Sequence, residues 1–148
     1  YSLYKDVVVH TAQIIESLLH YKLKMLIKAG FVDEYSLLKP DLSYYNTKLL
    51  HRFSGSERLI GCMEKKVAIP FRDTAEFSTV NKAARQVGLL TDDLFKKCDN
   101  VRTMRNKIHL AALPNVDDQY SQADINKVFA VATEVVDRVR DYEMKKQD

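Results

Sequence analysis

Thr91-Asp-Asp-Leu-Phe-Lys-Lys-Cys-Asp-Asn-Val-Arg-Thr-Met-Arg-Asn-Lys-Ile-His109 is the stretch on which the reading of this 148-residue chain turns. Leu94, Cys98, Val101, Met104 and Ile108 recur at three- and four-residue steps, and Ala111 and Ala112 carry the series on until Pro114. That spacing predicts one apolar face of a helix. Thr91 is placed to cap it, and Asp92 and Asp93 fall in the first turn, where carboxylates complement the positive end of the helix dipole.

Working outward, Asn115 to Tyr120 reads as a polar link. Ser121 opens a last helix whose buried face is predicted to hold Ile125, Val128, Phe129, Ala132, Val135, Val136 and Val139, with a fraying tail from Lys145 to Asp148. On the amino-terminal side, Ser78 is expected to cap a helix from Thr79 to Val87, and Gly88 to stop it. Further back, Val8, Ala12, Ile15, Leu18, Leu19, Leu23 and Leu26 trace the stripe of a first helix over Val7 to Leu26 that Gly30 closes.

Between these anchors, Phe31 to Leu38 is predicted as a short helix ended by Pro40. Tyr44 to Phe53 and Glu57 to Val67 both carry helical periodicity, with a turn at Phe53-Ser-Gly-Ser56 between them and an extended connection at Ile69 to Asp73. The fold class expected is all-α, an antiparallel bundle of four to six helices forming a single domain over residues 1–148. A start at Tyr1 rather than Met is compatible with a piece of a longer protein.

Composition agrees with regular elements around one core: 46% of residues are hydrophobic, and there are only 4 Gly and 3 Pro to break them. The stretch from Ile14 to Ala29 is interrupted by Glu16, His20, Lys22, Lys24 and Lys28, so no membrane span is expected. No signal peptide is read at Tyr1 to Lys5. Cys62 and Cys98 lack the paired spacing of zinc or redox motifs and read as buried free thiols, which suits a cytoplasmic location. A net charge of +3 permits contact with a polyanion without demanding it.

The chemistry-bearing residues lie on the helix that opens this section. Arg105 and His109 are four apart, and Arg102 is seven before His109. At about 100° per residue they share one edge of the apolar stripe, with Asn106 farther round. Phosphodiester cleavage without a metal needs a group that exchanges protons near neutral pH and a fixed cation for the charge developing on phosphorus. Imidazole and guanidinium meet those needs. Taken on spacing alone, an Arg and a His on one helix face are more often a solvated face or a helix-end interaction, and a bundle without any site stays open.

The order of elements resembles the HEPN family. A long first helix contains Ile15-Glu-Ser-Leu-Leu19, a mid-chain helix contains Phe77-Ser-Thr-Val-Asn-Lys-Ala-Ala-Arg85, a penultimate helix contains Met104-Arg-Asn-Lys-Ile-His109, and an amphipathic helix closes the chain. The family's motif is an arginine, commonly followed by a polar residue, then a histidine after four to six intervening residues. Arg102 is followed by Thr103 with six residues before His109; Arg105 is followed by Asn106 with three. The resemblance implies a metal-independent endoribonuclease of RNA-processing or toxin type, with His109, Arg105, Arg102 and Asn106 as the site and no cofactor. It also implies homodimerisation through the motif helix, RNA as substrate, and a neutralising or regulatory protein as a further partner. Some members are catalytically silent and bind RNA, nucleotides or proteins, which is the alternative function.

Lys107 and the Lys96-Lys97 pair are candidate RNA contacts, with solvated surface as their other reading. Glu16 and His20 are one helical turn apart, yet zinc needs three or four protein ligands and no second cluster matches, so no metal is expected. His10 and His51 have no local chemical partner. Tyr35, Tyr44, Tyr45 and Tyr120 offer stacking surfaces or ordinary packing. No glycine-rich phosphate loop, Gly-x-Ser-x-Gly or His-Glu-x-x-His is present, which disfavours classical nucleotide hydrolases, serine hydrolases and zinc proteases.

Overall fold

A computed structural model describes residues 3–110 and 121–142, with the side chains of Leu3, His109 and Leu110 outside the description. The element order is α1 (Leu3–Lys28), β1 (Asp41–Arg52), β2 (Arg58–Val67), α2 (Phe77–Gln86), α3 (Asp92–Leu110) and α4 (Gln122–Asp141). The chain divides into two compact units: Tyr1–Asp33 with Arg72–Asp148, and Glu34–Phe71.

The first unit is helical. α1 buries Val8, Ala12, Ile15, Leu19, Leu23 and Leu26, the stripe expected of it apart from half-buried Leu18. It packs on α2, α3 and α4. Its end is a Schellman turn: Gly30, at φ 80°, donates to the Ile27 carbonyl, and Phe31 donates to that of Leu26. α3 buries Leu94, Cys98, Val101 and Ile108, and the Thr91 hydroxyl accepts from the Leu94 N–H as its cap. α4 begins at a capping box in which Ser121 and Asp124 each accept from the other's backbone N–H. Its buried line is Ile125, Val128, Val131 and Val135, while Phe129 and Val136 are exposed. The expected stripe was too wide on that side.

The second unit overturns the all-α expectation, and the protein is mixed α/β. The two segments predicted as helices, Tyr44 to Phe53 and Glu57 to Val67, form instead an antiparallel hairpin of β1 and β2. Phe53 to Ser56 is the turn between them: Gly55 takes φ 99°, and the Phe53 N–H donates to the Glu57 carbonyl. The mistake has a physical origin. β1 carries one extra residue between Tyr45 and Lys48 and another between Leu49 and His51, with Asn46 at φ 53°. Both strands are exposed apart from half-buried Gly61, so no buried face imposes the period of two that marks a strand, and in β1 each bulge also shifts the side-chain alternation by one residue. Leu42, Tyr45 and Leu49 then fall by chance at helical steps. The short helix expected over Phe31 to Leu38 is also absent; that segment is turn and bend.

α2 begins two residues earlier than expected. Its N-cap is Glu76, which makes no side-chain cap bond, so Ser78 lies inside the helix rather than capping it. Gly88 closes it as foreseen, at φ 79° with its N–H donating to the Arg85 carbonyl. The expected link from Asn115 to Tyr120 and the tail from Lys145 lie outside the described residues. Among the described residues no helix is long and apolar enough to cross a membrane.

Candidate functional site

α1 presents a polar line beside its buried stripe, with Glu16, His20 and Lys24 one turn apart from each other. Each member holds something from elsewhere in the helical unit. Glu16 accepts from Arg105 Nη1 at 2.8 Å. His20 Nε2 donates to the Ala75 carbonyl at 3.1 Å, and Lys24 pairs with Asp73. Together they tie α3 and the segment leading into α2 against one face of α1.

The result is a cleft of about 540 Å³ lined by Glu16, residues 73–78 and, from α3, Arg102, Arg105 and Asn106. Three of the four residues singled out from the sequence are thereby brought together, opposite the start of α2. The first-turn N–H groups of α2 have no side-chain cap from Glu76, and such groups attract anions. His109 belongs to α3, one turn beyond Arg105 along the backbone; its side chain lies outside the described residues.

The two arginines are held differently. Arg105 is mostly buried: its side chain is 19% exposed and its guanidinium lies 5.1 Å from the Phe77 ring centroid. Its Nε is buried without a hydrogen-bond partner among the described residues. Between an acidic anchor and an aromatic face it is a positioned cation. Among the described residues Arg102 is tied only to its own helix, Nε donating to Asp99 at 2.8 Å. That leaves its remaining N–H groups for the cleft.

Carboxylates balance these cations, since Glu16, Asp73 and Glu76 also line the cleft. The site therefore offers directed donors rather than a broad positive field. The expected lysine contacts do not join it. Lys97 bonds Glu134 and Asp93, which hold its ammonium above the ordinary lysine range, and it lines a separate groove between α3 and α4. Lys96 and Lys107 are exposed and absent from the cleft wall.

Glu16 and His20 were visible in the sequence as a pair one turn apart, but as metal-ligand candidates. In the structure they brace the cleft, and among the described residues no group of three His, Cys, Asp or Glu gathers as a metal site. The rim from Asp73 to Ser78 was missed. A polar line at i, i+4 and i+8 beside the buried stripe of α1 was the available sign that α1 faced another polar segment. Comparison with known families, curated proteins and solved structures gives no match, so the functional reading rests on the cleft's own chemistry.

Proposed function

We propose that the cleft receives a phosphodiester of RNA, and that the chain is a HEPN-like, metal-independent endoribonuclease in which Arg102, Arg105, Asn106 and His109 act together. The observation that supports this is the convergence of both arginines and Asn106 on one cleft facing the uncapped start of α2. Arg105, fixed by Glu16 and Phe77, is a preorganised donor for charge developing on phosphorus, and a preorganised donor need not reorganise during reaction. Arg102 and the α2 N–H groups grip the non-reacting oxygens. His109 takes the proton of the ribose 2′-hydroxyl as its oxygen attacks phosphorus. The bond to the 5′-oxygen breaks, and that oxygen leaves with a proton returned from the imidazolium of His109. The products are a 2′,3′-cyclic phosphate and a 5′-hydroxyl end. As the resemblance implies, two copies would meet through the motif helix.

The test is cleavage of mixed cellular RNA in EDTA by the wild-type chain and by His109→Ala. Cleavage by wild type alone, with cyclic phosphate ends, is the expected result. Equal cleavage by both sinks the mechanism.

A second reading, a catalytically silent RNA-binding module, is favoured by one observation: both guanidiniums already hold carboxylates, Glu16 and Asp99. It predicts no cleavage by any variant, with Arg102→Ala weakening RNA binding and flattening its salt dependence. Unchanged binding in that variant would remove RNA from the cleft.

A further inference from the structure

The hairpin leaves an unusual amount of apolar surface in water. Of the sixteen large apolar side chains that are exposed among the described residues, ten lie between Leu42 and Val67. Two strands alone are marginally stable, and an added strand on either edge would bury part of this surface.

The two edges differ. β1 is interrupted by its two extra residues and by Asn46 at positive φ, devices that spoil an edge as a template for further pairing. β2 has no extra residue over Arg58–Val67 and no proline. Its outer row of backbone N–H and C=O groups is regular, with an uncharged centre from Leu59 to Met63.

We propose that two copies of the chain pair through the outer edge of β2, antiparallel and centred on Gly61, giving one four-stranded sheet in the order β1-β2-β2-β1. Charge and apolar pattern select this register. Around Gly61, Arg58 faces Glu64 of the second copy, Leu59 faces its Met63 and Ile60 faces its Cys62, each pair occurring twice by symmetry. Centring on Cys62 would set Arg58 against Lys66, and centring on Met63 would set Ile60 against Lys66. The hairpin also contains an unbalanced pair that the second copy corrects. Arg58 lies directly opposite Arg52, a like-charge pairing that costs stability, and Glu64 of the second copy brings the missing negative charge to it. This surface is independent of the cleft and of any contact through the motif helix.

Charge reversal in the full chain, followed by sedimentation velocity, is the first arm of the test. Glu64→Arg and Arg58→Glu should each weaken association by roughly tenfold, since two cross-strand pairs turn repulsive. The double swap R58E/E64R should restore it. In the second arm, Ile60→Cys should form intermolecular disulfides with Cys62 under mild oxidation, whereas Lys66→Cys, whose counterpart is Ser56, should not. Far-UV circular dichroism confirms that each variant keeps its helices. A chain that stays monomeric, association unmoved by E64R, a double swap that fails to restore it, or equal cross-linking from K66C overturns the proposal.

Discussion

Removing the carboxylate of Glu16 is the perturbation that bears on both stability and site. Its Oε2 accepts from Arg105 at 2.8 Å, the two side chains are 26% and 19% exposed, and Arg105 Nε already lacks a partner among the described residues. A hydrogen bond to a charged group contributes roughly 1.5–3 kcal/mol. The remaining exposure lets water replace part of it, so Glu16→Ala is expected to cost about 2 kcal/mol. For a domain of this size that lowers Tm by about 4–8 °C. Arg105→Ala should cost a further 0.5–1 kcal/mol or so, because it also removes the contact with the Phe77 ring. Urea titration at 222 nm, which follows the helical unit, yields the double-mutant cycle, and a coupling near 1–2 kcal/mol is expected. Coupling below about 0.5 kcal/mol, the range of independent sites, would refute the claim that Glu16 anchors Arg105. The apolar exchange Glu16→Leu with Arg105→Met should keep most of the stability, since a buried ion pair often gains little over apolar packing. RNA binding should still be lost, which separates the structural role of Arg105 from its role in the cleft.

Burial, then the nearby charges of Glu134 and Asp99, push the Cys98 thiol up to about 12 from an ordinary 9.0, while Cys62, expected to be buried as well, is exposed because it lies on a hairpin whose strands are open to water. One thiol should therefore react rapidly with a disulfide reagent at pH 8 and the second only on unfolding; two rapid thiols would contradict the burial of Cys98. Because the folded state holds this proton more tightly, its contribution is present below pH 9 and declines as pH rises toward 12, which pH-dependent urea titration can follow. Asn81 on α2 is fully buried, and neither its amide nitrogen nor its oxygen finds a partner among the described residues. Asn81→Leu should stabilise the helical unit by about 1–2 kcal/mol in urea, and a loss of stability would mean that the amide is satisfied. Gly30→Ala should cost about 1–2 kcal/mol although nothing lies within 4 Å of the added methyl, because the penalty resides in the left-handed backbone alone. A thermal melt unchanged by this substitution would count against the Schellman turn.

The helices of the first unit could be read from residue order because their signals are local. The stripe from Val8 to Leu26, the stops at Gly30 and Gly88, the cap at Thr91 and the start at Ser121 each depend on residues within a turn or two of one another. The presence of Arg102, Arg105 and Asn106 along one edge of α3 follows from helix geometry in the same way. Ser78 was misplaced because a serine near a helix start resembles a cap, whereas Glu76 occupies that position without a cap bond.

Tertiary structure decided the rest. In the hairpin no buried face imposes an alternation, and two extra residues shift it further in β1, so only the pairing of β1 with β2 distinguishes Leu42, Tyr45 and Leu49 on a strand from the same steps on a helix. The cleft depends on partners far apart in the chain: Glu16 lies 89 positions before Arg105, and His20 lies 55 before Ala75. No local spacing encodes such contacts. Residue order determined that α3 carries two arginines, an asparagine and a histidine at helical spacing; the packing of α3 and the start of α2 against α1 decided that a carboxylate and an aromatic ring hold one of those arginines in place.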